Sequence, residues 1–241
     1  MSRRQRKETM LALLGREELG LEELYRELAA YPAQDVINAL FPALCWTEPH
    51  LRWRAVSAMG QAVVRLADEN MEAARVVMRR FLWSLNDESG GIGWGAPESM
   101  AEAMARNAAL AQEYGHMLIS YMREDGEEIW QDGNYLEHPL LQRGLLWGVA
   151  RLSAACPDVL LERGVGPDVL PYLKFADASI RALACIAAGN LGLQAAKPAL
   201  SELANDTATV TLYAEGRFIN TTVAEQAKNA LEKLNNLNNA V

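Results

Sequence analysis

The chain has 241 residues, half of them hydrophobic, with a net charge of −8 and three cysteines. Alanine and leucine dominate the apolar residues, which favours helices over sheets, and no run approaches the ~18 apolar residues of a membrane span. The three cysteines are far apart and contain no CxxC pair, which argues against a disulfide framework or a zinc knuckle. We therefore expect a soluble, cytoplasmic, helical protein without a membrane partner.

The chain begins with a basic segment, SRRQRK, followed by the short apolar run Met10–Leu14. Acidic residues follow this run at once, which does not fit a secretory signal. We interpret residues 1–34 as helices that cap the N-terminal end of a repeat array.

A recurring apolar pattern starts at residue 51. The offsets i, i+4, i+7 and i+8 hold small or apolar side chains in LRWRAVSAMG, in IRALACIAAG from Ile180 and in VAEQAKNAL from Val223, with a weaker copy from Leu140. This spacing puts one stripe on a helix, and its alanines let a neighbouring helix approach closely. The last two copies are 43 residues apart, and the main copies follow a shorter apolar segment. Paired helices with such a period indicate an α-solenoid.

A glycine-rich segment, SLNDESGGIGWGAPE, lies between two predicted helices at residues 84–98. Pro97 and Glu98 suit the first turn of the second helix, with Gly95 or Ala96 as its cap. The pattern is typical of a connection, yet a tryptophan between glycines is costly to order unless it contacts something. We define residues 86–97 as an inserted loop and a candidate binding element. The neighbouring acids disfavour a phosphate-binding loop.

The acidic excess lies in the middle of the chain. Residues 68–137 contain 14 acidic and five basic side chains, whereas the segments on either side are close to neutral. Such a field repels nucleic acid and suits a cationic partner, a metal or simple solubility.

Four tryptophans fall in or beside this acidic region: Trp83, Trp94, Trp130 and Trp147. Tryptophan rimmed by carboxylates suits a cationic ligand group. The simpler alternative is that Trp83 and Trp147 lie on apolar helix faces and fill core space.

Other kinds of site have weak signals. His116, Glu137 and His138 would have to converge with Asp87 or Glu88 to bind a metal, and no pair has the i, i+4 spacing of a helical zinc pair. The sequence contains no Gly-x-Ser-x-Gly motif of the kind that holds a catalytic serine. A glycosylase-like role for Asp87 would need a basic groove, whereas the middle of the chain is acidic. We expect no catalytic residue, metal or cofactor.

Residues 207–222, TATVTLYAEGRFINTT, predict a β-hairpin. Threonines alternate with apolar residues, and Glu215-Gly216 marks the turn. The hairpin would lie between the two helices of the last pair.

These features resemble the HEAT-like repeat family, in particular the phycobilisome-lyase-type repeats and an uncharacterised bacterial subgroup of them. The matching residues are the Ala-x-x-Ala-hydrophobic-Gly stripes at Leu51–Gly60 and Ile180–Gly189, a degraded copy at Val223–Leu231, and the segments LEHPLLQRGLLWG and LYAEGRF. The resemblance covers the chain from about residue 35. It implies an armadillo-like fold and, as an alternative function, the handling of a small ligand or chromophore.

The sequence thus predicts an all-α fold, a right-handed α-solenoid (HEAT/ARM-like superhelix) of about five helical pairs, forming one domain over residues 1–241. Its function would be non-enzymatic binding of a protein partner with a basic patch, on the concave face of the solenoid and the 86–98 loop. Three arginines lie near the start of the second helix of a pair, Arg52, Arg143 and Arg181, where they could contact carboxylates of a partner or brace adjacent repeats. For Arg181 we favour bracing with Asp177, and for Arg143 we favour partner contact. The candidate binding residues are Trp83, Asn86, Asp87, Glu88, Trp94, Glu98, His138, Gln142, Arg143 and Trp147.

Overall fold

The computed structural model describes residues 3–86, 93–124, 126 and 133–239. Within these ranges the regular structure is helical apart from one two-stranded hairpin, which confirms the predicted class of fold. The chain divides into two compact units, Met1–Leu110 and Ala111–Val241. The single domain that we expected stays a prediction.

Unit 1 is organised around one long helix, α4. The described helices are α1 (Arg3–Leu14), α2 (Leu21–Ala29), α3 (Ala33–Leu40), a 3₁₀ helix (Phe41–Cys45), α4 (Pro49–Glu69), α5 (Met71–Leu85) and α6 (Ala96–Arg106). α4 contacts each of the other five α-helices. The predicted stripe is buried at Ala55, Ala58 and Met59. At Gly60 a Cβ would come 2.5 Å from the Cβ of Glu102, so the glycine permits the close contact of α4 with α6.

The first two helices are attached to α4 by two arginines. Buried Arg54 donates to three carbonyl oxygens at 2.9–3.2 Å, those of Leu14, Arg16 and Leu19. Arg65 donates at 3.0–3.4 Å to those of Leu28, Ala29 and Tyr31. The last carbonyls of a helix lack intrahelical partners and carry partial negative charge. These two cations therefore hold the segment that we predicted as capping helices.

Unit 2 repeats the pattern of short and long helices. Its described elements are α7 (Ala108–Ser120, which starts before the division), α8 (Pro139–Ala155), α9 (Pro157–Leu161), α10 (Gly166–Val169), 3₁₀ helices at Leu170–Lys174 and Gln194–Ala196, α11 (Ala178–Asn190), α12 (Lys197–Leu203), β1 (Thr209–Ala214), β2 (Arg217–Thr222) and α13 (Val223–Asn239). α11 contacts both α8 and α13. Its predicted stripe is confirmed, because Ile180, Ala184, Ala187 and Ala188 are all buried.

The predicted hairpin is also confirmed. β1 and β2 pair antiparallel, with Val210 opposite Thr221 and Leu212 opposite Ile219. Glu215 and Gly216 at the turn have φ values of 50° and 83°, as a two-residue turn between twisted strands requires.

Arginine–aspartate pairs link successive elements of unit 2. Arg143 Nε donates to Asp177 Oδ2 at 2.7 Å, and Arg181 donates to Asp206 Oδ2 at 2.6 Å. The pairing of Arg181 with Asp177 that we predicted is therefore wrong. Asp177 is the N-cap of α11, and its Oδ1 accepts from the amide of Ser179, so its other oxygen faces α8. Arg181 instead braces the segment that precedes the hairpin.

Candidate functional site

The outward face of α5 carries two exposed apolar side chains and two arginines. Val76 is 54% exposed and Trp83 is 73% exposed. With Arg79 and Arg80 they occupy positions i, i+3, i+4 and i+7, which lie on one face of a helix. We call these four residues the α5 stripe. The helix begins at Asn70, whose side chain caps the amide of Ala73.

Arg80 is held at the surface by an aromatic ring. Its guanidinium carbon lies 3.6 Å from the centroid of the Phe41 ring, and that ring lies 5.0 Å from the ring of buried Phe81. Within the described part of the chain Arg80 forms no hydrogen bond through its side chain and no ion pair. Partial burial lowers the pKa of Arg80. By contrast, Arg75 and Arg79 both pair with Glu72, at 3.4 and 2.7 Å.

The start of α6 contains buried polar groups. Gly95, one of the two predicted caps, is the N-cap with a φ of 73°, and a Cβ there would come 2.9 Å from the Cβ of Leu44. Glu98 in the first turn is 4% exposed, and burial raises the pKa of its carboxyl group against the opposing effect of Arg52. Among the described residues, the Oε2 atom of Glu98 and the Oγ atom of buried Ser99 have no hydrogen-bond partner. A carboxyl group in this position is held more easily in its neutral form.

The loop itself is described only at its ends. Asn86 is exposed and ends α5, with its amide donating to the carbonyl of Leu82 at 3.2 Å. Trp94 is half-buried. Asp87 and Glu88 lie outside the described residues.

Two further candidates contribute to the N-terminal part of α8. His138 is the N-cap, and its Nδ1 atom accepts from the amide of Leu140 at 3.2 Å. Buried Gln142 donates through its amide group to the hydroxyl of Tyr135 at 2.7 Å. Both polar groups therefore stabilise the local fold.

Arg143 and Trp147 are engaged inside unit 2. Arg143 forms the ion pair with Asp177, and its side chain is 49% exposed, so the partner contact that we favoured for it stays a prediction. Trp147 is 7% exposed, and its indole N–H donates to the carbonyl of Tyr213 at 2.7 Å. Trp147 thus fills the core, as the simpler alternative predicted, and its hydrogen bond holds the hairpin. The same alternative is wrong for Trp83, which is exposed.

A second open surface lies between α11 and α13. It is a groove of about 460 Å³ lined by Ile186, Gln226, Asn229, Ala230, Glu232, Lys233 and Asn236. Amide side chains both donate and accept hydrogen bonds, as a peptide backbone does. Among the described residues we find no cluster of three metal-ligating side chains. No described helix has the length and apolar character needed to cross a membrane.

Solved structures resemble the chain over nearly all of its length. An engineered protein of the Northeast Structural Genomics Consortium is 15% identical, with a TM-score of 0.54 over 95% of this chain and 96% of that one. A designed armadillo repeat protein, solved in complex with the peptide (KR)4, is 19% identical, with a TM-score of 0.51 over 94% and 98%. The fold is an armadillo-like helical repeat.

The sequence comparisons give no match: no family model fits the chain, and none of the curated proteins matches it. At the identities given above, the likeness to the solved structures shows the fold alone. The resemblance to the phycobilisome-lyase-type repeats stays a prediction.

Proposed function

We propose that this protein is a non-enzymatic scaffold for a protein partner, and that the α5 stripe and the adjoining loop form part of its contact surface. The observation that carries the proposal is the 73% exposure of Trp83, two residues before the end of α5. Single exposed apolar residues are common, but Trp83 shares its face with exposed Val76. Tryptophan is strongly enriched among residues that dominate binding energies.

The fold supports a binding role. The designed armadillo protein with the same kind of fold was solved with a bound peptide. In our proposal the groove between α11 and α13 is a second contact surface, since its amide groups suit the polar backbone of an extended segment. We keep a basic patch on the partner as the expectation for the acidic residues, of which Glu124 and Glu137 are exposed. From the composition and the resemblance we expect the scaffold to lie in the cytoplasm of a bacterium.

The proposal is tested by capture of partners from native lysate with immobilised protein, followed by quantitative mass spectrometry. We expect Trp83→Ala to reduce recovery of the specific partner roughly 30-fold, the effect of losing a binding residue of about 2 kcal/mol. Its melting temperature should stay close to that of the wild type, since the side chain is exposed.

Leu161→Ala is the matched control, because Leu161 is an apolar side chain of α9 that is 43% exposed and lies outside both proposed contact surfaces. This variant should capture the partner at wild-type levels. Equal recovery by Trp83→Ala and wild type would refute the proposed surface.

A further inference from the structure

We propose that the α5 stripe binds a carboxylate-bearing segment of the protein partner, with Arg80 pairing with an Asp or Glu side chain and Val76 and Trp83 packing against apolar residues beside it. This inference rests on the proposed scaffold function and names the chemistry of the partner at this one surface. It differs from the basic partner expected for the acidic residues elsewhere in the chain.

The first support is the orientation of Arg80. A guanidinium group that stacks on a ring uses its flat face and leaves the N–H donors at its edge directed outward. Phe41 provides that ring at 3.6 Å, and the ring of buried Phe81 lies 5.0 Å from the Phe41 ring. The donors of Arg80 have no acceptor in the described part of the chain. A carboxylate supplies two parallel acceptors that match this planar fork.

The second support is the charge of the helix. Between Asn70 and Asn86 the charged residues are Glu72, Arg75, Arg79 and Arg80, a net charge of +2. Glu72 already serves both Arg75 and Arg79. The helix itself is therefore basic, with the acids Asp87 and Glu88 following it in the sequence, and the arginines of the stripe attract a carboxylate and repel a lysine or arginine.

The third support is the spacing of the apolar side chains. Val76 and Trp83 lie seven residues apart, about 10 Å along the helix axis at 1.5 Å per residue. Arg80 is between them. A polyproline II segment has three residues per turn and rises about 3.1 Å per residue, so every third side chain lies on one face, about 9 Å apart. A segment in this conformation with an apolar residue at every third position forms both apolar contacts, and the flexible glutamate side chains between them reach Arg80.

The experiment measures binding of a fluorescein-labelled peptide, (Leu-Glu-Glu)4, to the full chain by fluorescence polarisation. We expect saturable binding by the wild type and roughly tenfold weaker binding of (Leu-Gln-Gln)4, the loss expected for a charge-assisted hydrogen bond. Arg80→Gln should weaken binding of the glutamate peptide to the same extent. Arg80→Lys, which keeps the charge and loses the planar fork, should fall between the two.

Arg217→Gln is the control, because Arg217 is an exposed arginine of the hairpin. It should bind as the wild type does, and all variants should retain the wild-type melting temperature. The inference is overturned by equal binding of the glutamate and glutamine peptides, or by an Arg80→Gln variant that binds normally. It is also overturned by tighter binding of (Leu-Lys-Lys)4 or of a thymidylate dodecamer, or by the absence of saturation up to 1 mM.

The two proposals fail in different ways. If Trp83→Ala loses the lysate partner while Arg80→Gln captures it normally, the proposed scaffold function is supported and the proposed binding of a carboxylate by Arg80 is wrong. If Trp83→Ala captures the partner normally, the surface itself is wrong.

Discussion

Arg181 joins three parts of unit 2 through one side chain. It donates to Asp206 and to the carbonyls of Phe175 and Ala176 at 2.6–2.9 Å, and its side chain is 17% exposed. Removing the cation leaves these partly buried acceptors without the hydrogen-bond donors that Arg181 supplies. We predict that Arg181→Gln lowers the free energy of unfolding by about 2 kcal/mol, measured by urea denaturation. The exposed Arg217→Gln should change it by less than about 0.5 kcal/mol.

The same pair gives a pH dependence. Burial acts to raise the pKa of Asp206, but the Ala208 amide and the Arg181 guanidinium together hold it below the ordinary value. A group with a lowered pKa in the folded state stabilises the protein above its unfolded pKa, about 3.9 for Asp, and this stability is lost as the pH falls. The difference between wild type and Arg181→Gln should therefore shrink below about pH 4. A difference that stays constant to pH 2.5 would contradict the assignment.

Glu98 should show the opposite pH dependence. Burial raises the pKa of its carboxyl group, so the folded state holds the proton more tightly than the unfolded state. Stability from this group is then full below the unfolded pKa, about 4.3, and falls as the pH rises through the folded pKa. Glu98→Gln should be close to the wild type in stability at pH 4 and more stable at pH 8, as measured by thermal melts. A variant that is less stable at pH 8 would show that the charged carboxylate has a stabilising partner.

At the scale of the helix, the alanine stripes set how closely neighbours approach. Ala184 is fully buried in α11, and at Gly189 of the same helix a Cβ would come 2.9 Å from the Cα of Ala230. We predict that Ala184→Leu destabilises the protein by about 1–3 kcal/mol through overpacking. Ala154→Leu in α8 is the control, because Ala154 is exposed and leucine is a good helix former. Equal melting temperatures for the two variants would refute the close-packed stripe.

The helices and the hairpin could be predicted from the sequence because each is encoded in a pattern of neighbouring residues. The stripes of α4, α11 and α13 follow the helical period, and β1 alternates in the way that a half-buried strand does. The partner of Arg181 was not accessible in this way. The spacing of Asp177 and Arg181 describes one helix, whereas the pair that forms joins α11 to a segment 25 residues further on.

The same limit applies to the candidate site. Trp83 and Trp147 both have leucine as a neighbour, yet one is exposed and the other buried. The helix face does not separate them either, since Trp83 lies four residues from Arg79 and Trp147 lies four residues from Arg143 and from Arg151. The stacking of Arg80 on Phe41 joins two elements, and no local pattern contains it.

At the scale of the molecule, the net charge of −8 opposes the binding of an acidic segment to the α5 stripe. The two effects act over different distances. Screening lengths are about 30 Å at 0.01 M salt, about 8 Å at 0.15 M and about 3 Å at 1 M. Added salt therefore screens the repulsion from distant acids first, and it screens the attraction at Arg80 only at higher concentrations. We predict that the affinity for (Leu-Glu-Glu)4 rises between 0.01 and 0.15 M salt and falls between 0.15 and 1 M, measured by fluorescence polarisation. Arg80→Gln should lose the fall and keep the rise, whereas a steady decrease from the lowest salt in the wild type would show that the local field of the stripe outweighs the charge of the whole chain.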